Sequence, residues 1–152
     1  MKKILQLISL FIIALGLNAC KPSVQDSINE CKQAIHNFTD ETKTLSLERI
    51  KQLSENEKNS LLFNMAFNHM KDHTQACMVA TKKSKEYLTP LLFSQIANRD
   101  FTSAVETCLA IDRYKVGRTG VLKFHVENAR LACTEESLRN LISTLNITTT
   151  FD

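Results

Sequence analysis

Glycine, proline and tryptophan are scarce in this sequence of 152 residues, which contains three Gly, two Pro and no Trp. Average usage is about 7% Gly and about 5% Pro, and folds with many tight turns need both residues. Neither sign of charge dominates, with 19 Lys and Arg against 16 Asp and Glu. A chain with 43% apolar residues is not collagen-like, low-complexity or wholly disordered, so we expect a single, mainly helical domain.

The first nineteen residues have the pattern of a secretory signal peptide. Lys2 and Lys3 form a short positive region, and the stretch from Ile4 to Leu17 is almost entirely apolar. About fourteen apolar residues are too few for a membrane span, which needs roughly 20, but they are typical of the hydrophobic region of a signal peptide. We therefore expect residues 1–19 to be removed on export.

The segment Leu17-Asn18-Ala19-Cys20 resembles the lipobox of bacterial lipoproteins. Leu17, Ala19 and Cys20 match that motif, and Asn18 occupies its tolerant position. The resemblance covers residues 1–20 only. It implies cleavage before Cys20, a diacylglyceryl group on the Cys20 sulfur and, usually, a further acyl chain on its amine. Cys20 would then anchor the protein to a lipid bilayer, since two chains suffice for stable anchoring; the alternative is an ordinary secretory signal.

The residues after Cys20 predict where the protein resides and how far it reaches. In Gram-negative lipoproteins of this class, Asp after the lipidated Cys usually retains the protein in the inner membrane. Lys21 stands there instead, so we expect the inner leaflet of the outer membrane, facing the periplasm. The tether formed by residues 20–23 is short: Lys21, Pro22 and Ser23 span about 10 Å when extended.

The net charge of the exported chain gives no reason to expect a nucleic-acid partner. Of the 19 basic residues, Lys2 and Lys3 lie in the signal peptide, which contains no acidic residue. The mature chain therefore has 17 basic and 16 acidic residues, a balance of +1. A protein that binds nucleic acid through its phosphates normally carries a marked positive excess.

The four cysteines after Cys20 predict two disulfides. Cys31, Cys77, Cys108 and Cys133 are even in number, and exported chains fold in an oxidising compartment. No pair has the C-x-x-C spacing of a redox or zinc motif. Three pairings are open; we slightly favour the nested one, Cys77–Cys108 inside Cys31–Cys133, because it would tie the terminal helices together.

Helix signals run through residues 24–145 and predict an all-α, single-domain bundle of about six or seven helices cross-linked by two disulfides. Ser23 with Asp26, and Ser54 with Glu57, have the spacing of capping boxes. The polar residues 39–44 suggest a connector, followed by a short helix from Leu45 to Leu53. Asp72 and Gln75 suggest a kink or restart after the second long helix. Two further helices are expected over 90–98 and 102–112, separated by Asn98, Arg99 and Asp100.

Boundary signals complete the helix prediction. Thr89 before Pro90 predicts a helix with Thr89 as N-cap and Pro90 at its first position. Alternating apolar residues in 121–126 would suit a strand, but no partner strand is evident, so we favour a helix there. Thr134 is expected to cap the last helix, with a buried stripe of Leu138, Leu141, Ile142 and Leu145. Residues 146–152 are expected to form a C-terminal tail.

Two histidines are the strongest candidates for metal ligands. His69 and His73 are four residues apart on a predicted helix, so both imidazoles can face one direction. Met65 and Cys77 continue the same spacing, but twelve residues rise about 18 Å along a helix, too far for one ion. Copper or zinc bound by His69 and His73 is therefore an alternative hypothesis; otherwise we expect no cofactor beyond the lipid.

Two basic segments are candidate contact sites. Lys82, Lys83 and Lys85 could contact anionic lipid headgroups or an acidic partner, although such a run is usually a solvated helix face. Gly117 and Gly120 lie near basic residues, but their spacing is that of a turn rather than a phosphate-binding loop. Tyr87 and Tyr114 could anchor an interface or belong to the core.

No reaction motif stands out, so we expect a non-enzymatic protein. There is no Gly-x-Ser-x-Gly element, and the cysteines are expected to be paired. The prediction is a membrane-anchored lipoprotein that binds an unidentified envelope protein, as an inhibitor or immunity protein, an exclusion factor or an accessory subunit of an envelope machine. A periplasmic metal-binding protein is the first alternative, and a small envelope hydrolase is the second.

Overall fold

A computed structural model describes residues 21–45, 47–114 and 133–144. Residues 1–20, 46, 115–132 and 145–152 lie outside the described residues. The predictions for the signal peptide, Cys20, the helix over 121–126, Leu145 in the last helix and the C-terminal tail therefore fall outside them too. The described residues are helical and contain no strand. The all-α class is therefore confirmed.

Seven α-helices and two short 3₁₀ segments make up the described chain. The 3₁₀ segments are Lys71–His73 and Lys85–Tyr87. The α-helices are α1 (Val24–Thr44), α2 (Leu47–Lys51), α3 (Glu55–Met70), α4 (Thr74–Thr81), α5 (Leu88–Ala97), α6 (Phe101–Tyr114) and α7 (Glu135–Thr144). Only five of them, α1, α3, α5, α6 and α7, have ten or more residues. The described bundle thus rests on five long helices rather than six or seven.

Both predicted capping boxes are present. The Ser23 hydroxyl accepts a hydrogen bond from the Asp26 N–H at 3.0 Å, and the Asp26 carboxylate accepts one from the Ser23 N–H at 3.0 Å. Ser54 and Glu57 make the same reciprocal pair at the start of α3. The serine hydroxyl and the serine N–H both donate to the carboxylate. These hydrogen bonds, of which that from the hydroxyl has the larger effect, lower the pKa of Asp26 and of Glu57. The caps therefore stabilise the fold above the ordinary carboxyl pKa and weaken as the pH falls through the lowered value.

The prediction of a connector over residues 39–44 was wrong, because α1 continues to Thr44. Several of its polar side chains form hydrogen bonds or ion pairs within the helix. The hydroxyls of Thr39, Thr42 and Thr44 donate to backbone carbonyls three or four residues earlier, at 2.7–2.8 Å. Asp40 also pairs with Lys43 at 3.0 Å. A polar run is therefore compatible with a helix whose outer face meets solvent.

Helix α5 lies at the centre of the fold. All ten of its residues are buried, and none carries a charge. A helix that is apolar on most sides must be surrounded by other elements, and α5 packs against α3, α4 and α6. The predicted N-cap at Thr89 was wrong: α5 begins at Leu88, directly after a 3₁₀ turn, and Pro90 is its third residue. Proline is tolerated there because the first-turn N–H groups have no intrahelical acceptor.

Three phenylalanines form the centre of the main core, between α3 and α5. The rings of Phe63, Phe67 and Phe93 have centroids 5.5–5.8 Å apart, and all three are buried. Aromatic pairs at this separation add about 0.5–1.5 kcal/mol beyond the burial of their area. Helix α7 closes the same core, because the predicted stripe residues Leu138, Leu141 and Ile142 are buried in it.

The turn between α5 and α6 uses a left-handed residue. Arg99 has φ of 58°, and its N–H donates to the carbonyl of Ile96 while the N–H of Asp100 donates to that of Gln95. This is the hydrogen-bond pattern of a Schellman motif, in which glycine is usual at the left-handed position. The Asn98 side chain donates to the carbonyl of Lys71 at 2.6 Å. The predicted break at these residues is confirmed.

Two disulfides link neighbouring helices. Cys31 is bonded to Cys77 and Cys108 to Cys133, with Cα–Cα distances of 5.0 and 5.4 Å. Two disulfides among these cysteines were predicted, but the nested pairing was wrong. The first bond joins α1 to α4, and the second joins α6 to Cys133, two residues before α7 begins. Because α1 packs along α4, and α7 packs on α6, both bonds link parts of the chain that already lie together. The closures span 46 and 25 residues, and in the chain-entropy model these correspond to about 4 and about 3.5 kcal/mol.

Non-reducing peptide mapping tests this pairing. We expect the peptide with Cys31 to be recovered joined to that with Cys77, and Cys108 joined to Cys133. The double variant Cys31→Ala/Cys77→Ala should unfold with a free energy about 2–4 kcal/mol lower, because its unfolded chain is less constrained. Recovery of Cys77 joined to Cys108 would contradict the helix packing.

Candidate functional site

The described chain enters α1 almost directly after the predicted anchor. Lys21, Pro22 and Ser23 are exposed and non-helical, and α1 begins at Val24. Cys20 itself lies outside the described residues. Because the capping box on Ser23 sets the start of α1, a short tether leads straight into a long helix. Of the helices in the described ranges, none combines the length and the apolar character that a bilayer crossing needs.

The two candidate metal-binding histidines lie on either side of the break between α3 and α4. His69 is in the last turn of α3, and His73 ends the 3₁₀ segment that follows. This break coincides with the kink that Asp72 and Gln75 predict. Both imidazoles face α1, where each contacts a different carboxylate. His69 Nε2 makes a short contact with Glu41 Oε2.

The second histidine makes the equivalent contact further along α1. His73 Nδ1 lies 2.9 Å from Glu30 Oε1. Glu30 and Glu41 are eleven residues apart, about three helical turns and about 16 Å along α1. The two carboxylates therefore occupy one face of α1 but well-separated levels. Each histidine is partly buried beside its carboxylate, and the pairs hold α1 against the segment that joins α3 to α4.

The rest of the soft-ligand run has structural roles. Met65 is buried in the main core, and Cys77 is disulfide-bonded. Within the described ranges, no three His, Cys, Asp or Glu side chains come together as a metal-binding group would require. His69 is also in edge contact with the Phe38 ring, at 6.3 Å between centroids. A shared ion on His69 and His73 would have to compete with contacts that both side chains already make.

The three lysines of the basic run do not form one helix face. Lys82 and Lys83 lie in the turn that follows α4, and Lys85 begins the next 3₁₀ segment. All three are exposed. The Lys85 ammonium lies 5.3 Å from the centroid of the Tyr114 ring, a cation–π contact that draws it towards α6. Lys82 and Lys83 therefore remain as an exposed pair at the end of α4.

The two tyrosines have different roles. Tyr87 is buried among Cys31, Cys77 and other residues of a second, smaller core cluster. Burial is the main cause that raises the pKa of Tyr87, and the Glu86 charge adds to it, while Lys32 acts in the opposite direction. Tyr114 is half exposed at the end of α6. Tyr87 therefore belongs to the core, and of the two tyrosines only Tyr114 is accessible to a partner.

Sequence reasoning missed Glu30 and Glu41. Their spacing could have indicated them, because an interval of eleven residues returns a helix almost to the same face. The sequence contains no sign, however, that this face would meet His69 and His73. The Gly117–Gly120 segment, the other candidate anion site, lies outside the described residues.

Equilibrium denaturation with and without zinc or copper tests the role of the histidines. We expect His69→Ala/His73→Ala to lower the free energy of unfolding by up to about 2 kcal/mol, roughly 1 for each pair. His36→Ala is the matched control, because His36 pairs only within α1, with Asp40. Stoichiometric metal should leave the wild-type midpoint unchanged. A metal-dependent rise that the double variant loses would favour the metal-binding hypothesis instead.

No protein-family model matches this chain, and no curated protein or solved structure is similar to it.

Proposed function

We propose that this protein is a lipid-anchored envelope protein that acts without catalysis, by binding another protein of the envelope. Its anchor is the lipid on Cys20, and its location is the inner leaflet of the outer membrane, facing the periplasm. The signal peptide and lipobox pattern of residues 1–20 supports the anchor. Lys21, in place of Asp, supports the outer membrane.

The start of α1 at Val24 is the observation that carries this proposal. Lys21, Pro22 and Ser23 alone separate Cys20 from a helix of 21 residues, and at full extension they reach about 10 Å. A lipidated Cys20 would thus hold the folded domain against the bilayer surface. A protein that must reach across the periplasm would need a longer linker, so we expect a partner within or next to the same membrane.

The roles of the polar side chains support binding over catalysis. His69 and His73 contact glutamates of α1, and the four later cysteines form disulfides. Among the carboxyl groups, Asp26, Asp40 and Glu57 have lowered pKa values, because capping serines or Lys43 donate hydrogen bonds to them. These groups stabilise helices and link them, which suits a rigid scaffold that presents a surface.

Three biological roles fit this scaffold equally: an inhibitor or immunity protein, an exclusion factor, and an accessory subunit of an envelope machine. The metal-binding alternative depends on His69 and His73 and is tested by the denaturation experiment above. The hydrolase alternative requires a cleft that contains an acid or base with a pKa adjusted for proton transfer. Hydrolysis of an envelope substrate, abolished when that acid or base is substituted, would establish this alternative.

Membrane fractionation of two variants tests the anchor. We expect Cys20→Ser to lose incorporated palmitate and to leave the membrane fraction, because no sulfur remains for the diacylglyceryl group. Lys21→Asp is the matched control: in a Gram-negative host it should keep the lipid but move to the inner membrane. Firm membrane association of Cys20→Ser would contradict anchoring through this residue.

Cross-linking followed by affinity capture of the lipidated protein from its own envelope tests the binding role. We expect one envelope protein to be recovered at close to equimolar amounts, because a protein that acts only by binding needs a stable complex with its partner. The Cys20→Ser protein is the control, since it should lose a partner that is met only at the membrane. Failure to capture any specific protein in either form would count against a resident partner.

A further inference from the structure

The turn that follows α4 lies at the end of the bundle where α1 begins. Contacts along α1 show the direction of packing. From His69 to Cys77, the contacts on α1 shift from Glu41 back to Glu30 and Cys31. The segment that ends in α4 therefore runs, overall, towards the start of α1, and its continuation leads towards the N-terminal end of α1.

Helix geometry gives the level of this turn along α1. From Cys77, five residues lead to Lys82, a rise of about 7.5 Å. From Cys31, seven residues lead back to Val24, a rise of about 10 Å. Lys82 and the start of α1 thus lie within about one helical turn of the same level. Burial of Ser27 agrees with this arrangement, because Ser27 lies one turn before Cys31 on the same face of α1, and Ile28 packs against the cluster that contains Cys77 and Ala80.

Three lysines meet at this end of the described chain: Lys21, Lys82 and Lys83. All three are exposed, and none forms an ion pair with another residue of the described ranges. The nearest carboxylate in sequence to Lys21 is Asp26, which accepts hydrogen bonds from Ser23. We call these three lysines the basic end; against the exposed carboxylates of Asp26 and Glu86 they leave a net charge of +1.

We propose that the basic end, Lys21, Lys82 and Lys83, contacts the anionic phospholipid headgroups of the bilayer that holds the Cys20 lipid. The inference rests on the proposed anchoring at Cys20. The short tether brings this end of the bundle to the membrane surface, and lysine ammonium groups attract phosphate-bearing lipids there. A protein partner would have to enter the narrow space between the domain and its own anchor, so the bilayer is the occupant that the geometry favours.

The contact fixes how the domain stands on the membrane. Each lysine near an anionic surface raises the equilibrium constant for the contact roughly fivefold, which corresponds to about 1 kcal/mol per charge. Three lysines together are then sufficient to select one orientation of a domain that a flexible tether alone would leave free to rotate. The opposite end of α1, with Lys43 and α2, points away from the bilayer and is presented to partners.

Lysine footprinting of the lipidated full-length mature protein in vesicles tests this proposal. The protein is reconstituted in vesicles of phosphatidylcholine alone or with phosphatidylglycerol, and an amine-reactive reagent labels its lysines for mass spectrometry. We expect Lys82 and Lys83 to be labelled several-fold less in the anionic vesicles than in the neutral ones. Addition of salt to about 0.5 M should remove this protection, because screening reduces the range of the attraction between lysines and headgroups. Lys43 and Lys51 are internal controls whose labelling should not change.

The outcomes separate this inference from the anchoring on which it rests. If the protein is not recovered with vesicles of either composition, anchoring fails. If it is recovered with both, but Lys82 and Lys83 are labelled equally in both, anchoring holds and the headgroup contact is overturned. Protection of these lysines in native envelopes but not in anionic vesicles would also overturn it, and would point to an acidic protein instead.

Charge reversal provides a second test that does not depend on labelling. Lys82→Glu/Lys83→Glu should remove the difference between anionic and neutral vesicles in the exchange of backbone amides around the turn. Lys43→Glu/Lys51→Glu changes the net charge equally at the opposite end of α1, so it should leave that difference intact. All four side chains are exposed, and circular dichroism checks that each variant folds, since Lys43→Glu also removes the ion pair with Asp40. The same loss in both variants would show a non-specific charge effect and overturn the proposal.

Discussion

The packing of α1 along α4, closed by the bond between Cys31 and Cys77, is the constraint on which much of this molecule depends. It brings the N-terminal half of α1 against α4 and completes the small cluster that contains Tyr87 and Leu91. It also sets the direction in which α4 runs. Because the contacts on α1 shift from Glu41 to Glu30 and Cys31 as the chain enters α4, the turn with Lys82 is directed back towards the end where the chain enters the domain.

The main core imposes the second constraint, because α5 must be enclosed on every side. All ten residues of α5 are buried, since a helix that is apolar on most sides is stable only inside a core. Helices α3, α4 and α6 pack around it, and α7 closes the same core beyond α6. The stacked rings of Phe63 and Phe93 join α3 to α5. The His–Glu pairs then lie outside this core, where they link α1 to the segment around the 3₁₀ break and leave solvent on one side.

These constraints are the basis of the proposed scaffold role. His69, His73 and the paired cysteines connect separate parts of the chain, while the capping carboxylates stabilise the starts of their own helices. If Cys20 is lipidated, the bundle would stand on the membrane through its basic end, with the far end of α1 turned towards the periplasm. That orientation would expose α2 and the C-terminal part of α1 to a partner, and it would require no movement of the helices.

The sequence alone determined the helical class, both capping boxes and the presence of two disulfides, because these follow from local spacing and from counting cysteines. The connector predicted for residues 39–44 was wrong, because the sequence does not show whether threonine hydroxyls donate to the helix backbone or to solvent. The sequence could not choose the cysteine pairing, the partners of His69 and His73, or the place of Lys82. Those depend on which helices pack together, and that was decided only by the tertiary structure, because enclosing α5 and covering α1 bring distant residues into contact.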